Sequence, residues 1–377
     1  MTKIDLTKPL QPQLLDADGP VCLIITARLK PVGDLDRFQP AGFPEVGHVI
    51  YDAPRTGKNG GAAKEKVCIV DSPASMANHL ETVCVAGVGS MELHSNLTNL
   101  PHVVCQTDGE VDVVSTFTEG HRLASDYFLD ATKNGRFFRD VLRDEFKIVE
   151  VKKDKTYFIP PATWWDIYTT IFKYDPNSLI HGVMFAKEQI KISRLLTAHV
   201  EAFGAARVGR SGVKFDRLGK TTSGQPIFSV DEETAEEIRA TFVLDLAMLR
   251  SYGRGEDKGL NGKQKRLLLD LSLWKIKQLL ARPFRYRTQC FLGCESIALS
   301  TEMESLDSPL AQSDDSENAF SPVLPMIDIE ASIKDCGFSE QPVTNVYYPA
   351  DKLFKPGKDD AVDGATSDDE SSEKDDE

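Results

Sequence analysis

No stretch of this 377-residue sequence approaches the ~18 consecutive apolar residues that a membrane-spanning helix needs, and its opening residues, Met-Thr-Lys-Ile-Asp-Leu-Thr-Lys, hold no apolar signal core. A cytoplasmic protein with no membrane contact is expected. The seven cysteines (Cys22, Cys68, Cys84, Cys105, Cys290, Cys294, Cys336) are odd in number and scattered, so they define no disulfide framework. Cys290 and Cys294 lack a second Cys or His pair at zinc-ligand spacing. Phosphate-cradling loops are missing too. Gly57-Lys58-Asn59 and Gly262-Lys263-Gln264 lack the Walker spacing, and Gly87-Val88-Gly89 has Glu92 where a dinucleotide fingerprint needs its third glycine. There is no His-Glu-x-x-His helix and no Gly-x-Ser-x-Gly elbow. These absences favour a binding module over an enzyme, with no cofactor and no metal.

Charge is present in excess on one side: 44 Lys+Arg against 58 Asp+Glu give a net charge of −14. Spread evenly, that would oppose a nucleic-acid partner. The excess is instead peripheral. Residues 358–377 hold ten acids and two lysines, residues 302–318 hold six acids and no base, and the remaining body is neutral. A neutral body with local basic clusters is compatible with a basic groove. The first segment reads as a disordered acidic tail and the second as an acidic Ser-rich loop.

Val21 to Leu29 (VCLIITARL) reads as a buried strand, and Lys66 to Val70 as a second short one. Ser72-Pro73 opens a helix, Ser as N-cap and Pro in the first turn, with Met76, Leu80, Val83 and Cys84 on one apolar face. His102 to Cys105 and Val111 to Phe117 read as a hairpin turning at Asp108-Gly109. Helices are expected over His121–Phe146, Trp164–Phe172, Glu232–Arg250 and Gly259–Ala281, the last with Lys263, Lys265, Lys275 and Lys277 outward. Leu179–Phe185 and Cys290–Leu299 read as strands, and Ala205–Phe215 as two strands joined by a turn. Strands and helices interleave without a regular period and without repeats, which predicts an α+β fold.

Two basic clusters stand out. Lys258 to Arg287 carries nine bases and one acid, and it ends in Arg282-Pro-Phe-Arg-Tyr-Arg287, where Arg285 and Arg287 alternate with Phe284 and Tyr286. Guanidinium forks bind phosphate and aromatic rings stack on bases, so this reads either as a single-strand contact or as a solvated helix face followed by core aromatics. Gly204 to Lys220 carries Arg207, Arg210, Lys214, Arg217 and Lys220 against Asp216, at a Gly-rich tip that reads as an RNA contact or an ordinary hairpin turn. A third feature, Arg37-Phe-Gln-Pro-Ala-Gly-Phe-Pro-Glu-Val-Gly-His48, fixes a particular backbone path after a core strand. Asp34 and Asp36 beside it could hold a metal, although such pairs are commonly turn devices.

The Arg37–His48 segment, followed by Val67-Cys-Ile-Val-Asp-Ser-Pro-Ala-Ser-Met-Ala-Asn-His-Leu-Glu81, resembles the RAMP-type backbone subunit of type I-G (formerly I-U) CRISPR effector complexes. His121-Arg-Leu-Ala-Ser125, Ser178-Leu-Ile-His-Gly-Val183 and Arg285-Tyr-Arg-Thr-Gln-Cys290 extend the resemblance in order across roughly residues 20–300. Asp71 and Ala74 stand where the family favours Glu and Gln. The resemblance implies a modified RRM or ferredoxin-like palm with inserted helical and hairpin, finger- and thumb-like, elements over residues 1–301. The acidic loop 302–318, the C-terminal part of the fold at 319–357 and the tail 358–377 would follow. It implies a non-catalytic subunit that polymerises with copies of itself along a CRISPR RNA and presents the guide to target DNA beside other effector subunits, in antiviral defence. The alternative is a metal-dependent RAMP ribonuclease that cuts guide-complementary RNA through Asp34 or Asp36. A guide of any sequence must be held by phosphate and 2′-hydroxyl. The expected RNA-binding residues are Arg37, Ser75, Asn78, His121, Arg122, Arg207, Arg210, Lys214, Arg285 and Arg287. His181 reads equally as a core histidine, and Phe38, Phe43 and Met76 as core.

Overall fold

Seven strands form the main sheet: β1 (Cys22–Pro31), β2 (Ile50–Thr56), β3 (Ala62–Asp71), β4 (Leu196–Phe203), β5 (Glu237–Asp245), β6 (Phe284–Arg287) and β7 (Cys290–Ser300). They lie in the order β6-β7-β1-β5-β4-β3-β2, antiparallel throughout. The computed structural model from which this is read describes residues 12–353 apart from 44–46, 57–60, 88, 108, 152–155, 209–231, 256, 288 and 301–326. Period-two patterning makes these strands. Leu23, Ile25, Ala27 and Leu29 of β1, and Ile238, Ala240, Phe242 and Leu244 of β5, are buried, while the residues between them stay partly exposed.

Four helices accompany the sheet: α1 (Pro73–Thr82), α2 (Thr163–Tyr174), α3 (Pro176–His181) and α4 (Gly262–Leu280). α1 and α3 lie on β4, and α4 lies on both of them. Taken in chain order, β1, β4, β5 and β7 are the four strands of a β-α-β-β-α-β unit. The α2–α3 pair precedes the second strand and α4 precedes the fourth, and the spatial order is fourth-first-third-second. This is the ferredoxin-like palm, within an α+β fold. Residues 32–162 are its largest insertion. They carry β2, β3, α1 and most of a second, five-stranded sheet that Val343–Tyr348 completes by running parallel to His102–Thr107.

The main sheet curls until its two sides meet. Gln39 donates its backbone N–H to the carbonyl of Gln289 and Ala41 donates to Val70, both at 3.0 Å, so the Arg37–Phe43 path bridges the β6–β7 turn and the end of β3. Phe38 is buried under this bridge, and Met76 lies in the core beneath α1. The side chain of Phe43 is outside the described residues.

Several sequence expectations are corrected. Glu232–Arg250 is strand before helix: the alternation of Ile238, Ala240, Phe242 and Leu244 fits a pleat, and only Leu246–Ser251, capped by Asp245, is helical. His121–Phe146 is broken by a hairpin whose turn, Asn134-Gly135, takes two left-handed conformations (φ 52° and 78°), and only Phe138–Phe146 forms a long helix. Leu179–Phe185 divides into the end of α3 and a short strand, Val183–Phe185. α4 is not a solvated basic helix. All residues from Leu267 to Ile276 are buried, Lys275 among them, because apolar side chains surround the axis. The expected loop 302–318, the tail 358–377, and Arg210 and Lys214 lie outside the described residues.

A buried polar network runs beside Lys275. Its ammonium donates to Asn177 Oδ1 and, at 3.1 Å, to His181 Nε2, and it sits 5.5 Å from the Phe117 ring centre. Asn177 Nδ2 donates to Glu81 Oε1 at 2.6 Å, and Arg122 grips both Glu81 oxygens at 2.6 and 3.0 Å. Removing one partner of a buried ion pair strands the other. We expect Glu81→Ala to lower the free energy of unfolding by ~3–5 kcal/mol in urea titrations, and Glu81→Gln by less. Next to this network, burial pushes the Asp175 carboxyl up to about 7, although Ser178 Oγ donates to it at 2.6 Å. An unfolded carboxyl ionises near ~4, so between roughly pH 4 and pH 7 the folded chain keeps a proton that the unfolded chain has lost. Stability contributed by this group is full below that window and declines as pH rises through it. Urea titrations at the two ends should show wild type losing stability relative to Asp175→Asn as pH increases; parallel profiles would remove the assignment.

Candidate nucleic-acid interface

The Arg-aromatic stretch and the Ser72 helix meet in space. Ser72 caps α1, accepting from the Ser75 N–H at 3.4 Å with Pro73 in the first turn. The Asp71 carboxylate before it is wholly buried. It accepts from Ser72 N (2.9 Å), Ser75 Oγ (3.2 Å), His79 Nε2 (2.8 Å) and Arg287 Nη2 (2.7 Å). Arg287 Nη2 also donates to Ser75 Oγ at 3.1 Å. The His79 ring stands edge-on to Phe284 and Tyr286, with centroids 5.1 and 5.6 Å away. Arg287 and Ser75 are therefore joined, but to one another through Asp71. Arg285 points away, exposed, its guanidinium 5.8 Å from the Phe291 ring centre.

Arg37 and Arg207 sit at the base of the insertion between β4 and β5. Arg37 Nε donates to Glu232 at 2.8 Å and Arg207 Nε to Glu233 at 3.1 Å, and His48 meets the same buried Glu233 at 3.0 Å. Asn78 is exposed on α1 beside a depression that also contains Glu81 and Glu119. His121 is exposed and paired with Glu119 at 2.9 Å. Arg122 is a correction. Only 6% exposed and committed to Glu81, its guanidinium has no face left for phosphate.

A groove of about 520 Å³ collects cations that charge counting passed over. It is lined by His121, Arg122, His181, Lys191, Ser193, Arg194 and Thr197 among others, and no carboxylate is in its lining. β3 stops at Asp71, opposite Val200, so among the described residues no strand covers Leu196–His199 on that side of β4. The groove begins at this uncovered edge. Gly182 makes its wall possible: at φ 81°, a Cβ there would stand 2.9 Å from the carbonyl oxygen of Ile192. Lys191 and Arg194 are exposed and have no ion-pair partner among the described residues. The clustering of Lys187, Lys191 and Arg194 over eight residues was the available sequence signal.

On the partly exposed side of the sheet, Thr26, Thr241 and His199 form one cross-strand row. Its one aromatic ring is the exposed His199 imidazole, and it has no Phe, Tyr or Trp. Phe203, the phenyl ring on β4, is covered by Arg239 and Arg55, 4.5 and 5.7 Å from its centre. The row offers a base the His199 imidazole alone, beside hydroxyls suited to a backbone. Asp34 and Asp36, the conceivable metal ligands, are 98% and 86% exposed beside Lys30 and Arg37. Among the described residues no three His, Cys, Asp or Glu side chains gather to hold an ion. Nor is any helix among them long and apolar enough to cross a membrane.

No curated protein sequence matches this chain. The crystal structure of Thermofilum pendens Csc2 aligns with 90% of this chain and 79% of its own at 10% identity and a TM-score of 0.26. Residues 23–207 match the family model of CRISPR-associated protein GSU0053 (Cas_GSU0053). The matched span is just under half of the chain, and it contains the Arg37–His48 and Val67–Glu81 motifs and the whole groove lining. Over that span the chain resembles the CRISPR-associated GSU0053 proteins, in keeping with the resemblance read from its motifs.

Proposed function

We propose that this chain is a non-catalytic backbone subunit that binds CRISPR RNA, polymerises with copies of itself along the guide in a type I-G surveillance complex, and presents the guide to invading DNA. It works in the cytoplasm beside other effector subunits. The observation that carries this reading is the groove at the open edge of β4, where Lys191 and Arg194 lie together on a lining without carboxylates, inside the segment that matches CRISPR-associated proteins. Cations that meet phosphate suit a guide of arbitrary sequence, because phosphate contacts carry no base information. Arg285, exposed at the curled edge, and the Arg37 and Arg207 pair at the insertion base are further proposed contacts. Arg210 and Lys214 belong to the same proposal through sequence alone, whereas Ser75 and Arg287 shape the edge through Asp71.

Guide-RNA affinity measured against salt tests the reading. Changing Lys191 and Arg194 together to Ala should reduce the steepness of log K against log salt by about 1.4, two single-strand phosphate contacts. An unchanged slope would remove the groove from the interface. A nuclease would act differently: assembled complex incubated with complementary RNA and magnesium should leave that RNA intact, and cleavage lost in Asp34→Ala would replace the proposal with a ribonuclease.

A further inference from the structure

Residues 358–377 carry ten acids and two lysines, and neither the fold nor RNA binding accounts for them. They lie beyond Leu353, where the described residues end. A run of like charges is drawn to whatever surface of the other sign it can reach. Charge narrows that choice. The depression beside Asn78 has Glu119 in its wall, the one beside Phe137 has Asp140, and the one beside Leu35 has Glu237. The groove at the open edge of β4 is lined by Lys191 and Arg194 and, among the described residues, by no carboxylate. Both cations are exposed, so an acid can meet them from solvent without being buried. Other exposed bases, such as Lys258 and Lys263, line none of these four depressions.

Chain length then decides whether the acids can arrive. Val343–Tyr348 runs parallel to His102–Thr107 and ends opposite Thr107. At the other end of that pairing Thr116 donates to the Val103 carbonyl at 3.0 Å, and the chain continues to Gly120, His121 and Arg122 in the groove lining. The exit after Tyr348 and the groove wall thus lie off opposite ends of a six-residue strand, a separation of ~20 Å along it. Asp359 is six residues beyond Leu353 and Glu377 twenty-four beyond. At ~3.4 Å per extended residue the acids reach from ~20 to ~80 Å, enough to cross the sheet and lie in the groove. We propose that residues 358–377 occupy this groove when no guide is bound, with carboxylates on Lys191 and Arg194, and yield it to RNA. This goes beyond the RNA-binding reading of the groove and rests on it for the ligand that displaces them. A tethered competitor acts at a fixed local concentration however dilute the protein. A stray strand that offers one subunit two phosphates loses much of its affinity to that competitor, whereas a guide held along many subunits loses little.

The test uses the full chain, with the ten acids of residues 359–377 changed to Asn or Gln so that length is kept. This variant should bind an RNA unrelated to any guide more tightly than wild type by roughly threefold to tenfold at low salt, the worth of two exposed ion pairs. The gap should close as salt screens both contacts. With Lys191→Ala and Arg194→Ala already in place, the same neutralisation should change affinity little. An equal gain in that background reports long-range repulsion rather than docking and overturns the inference, as does no gain at all. A second readout needs no RNA. Carbodiimide couples lysine amines to carboxylates in direct contact, so wild type should give Lys191 joined to acids of residues 359–377. These links should be independent of protein concentration and lost when guide RNA is added. Links confined to Lys258 or Lys263, or links that form only at high protein concentration, overturn the contact. If no variant binds RNA, the RNA-binding reading falls, and the Lys191 crosslink alone decides whether the segment sits in the groove.

Discussion

Glu81 accepts three hydrogen bonds, two from the Arg122 guanidinium and one from the Asn177 amide, at a position almost closed to water. A carboxylate in that setting is tolerable only when opposite charge and donors surround it, so three remote segments are constrained at once. Glu81 comes from the last turn of α1, Arg122 from a turn in the large insertion, and Asn177 from α3. Arg122 takes a left-handed backbone (φ 53°) and donates onward to the carbonyls of Gly120 and Gly182. Those glycines border the groove. The groove's shape is thus a consequence of neutralising one buried carboxylate.

The other end of α1 repeats the device. Asp71, equally buried, gathers Ser72, Ser75, His79 and Arg287, and by doing so it fastens the end of β3 to the far side of the curled sheet. α1 is a strut between two buried acids. One sets the curl of the palm, the other sets the groove, and the uncovered edge of β4 lies where β3 turns away into that strut.

Such pairing explains what could be read from residues alone and what could not. The apolar run of β1, the strand at β7 and the Ser-Pro opening of α1 are local, and the structure has strands and a helix there, with β1 buried on one face only. The palm's strand order is not local: β1 and β4 are separated by residues 32–195, so no window sees them as members of one unit. Strand identity in β5 was hidden by acids that resemble a helix start. The clusters of bases were visible, but composition does not say which base already has an acid. Arg122, Arg207 and Arg287 each find a buried carboxylate far away in sequence.

The same pairing changes the electrostatic picture. In the most basic stretch, Lys275 is interior, Arg266 meets Asp270 at 2.8 Å, Lys265 donates to the Gly253 carbonyl and Arg287 meets Asp71. Only part of its formal charge reaches solvent, chiefly at Lys258, Lys263, Arg282 and Arg285. The hairpin that ends at Arg194 is poorer in bases, yet its outward Lys191 and Arg194 border a concave wall without carboxylates. Field lines concentrate in a cleft of one sign walled by low-dielectric protein, so two cations placed there attract a polyanion more strongly than several that are dispersed or internally paired.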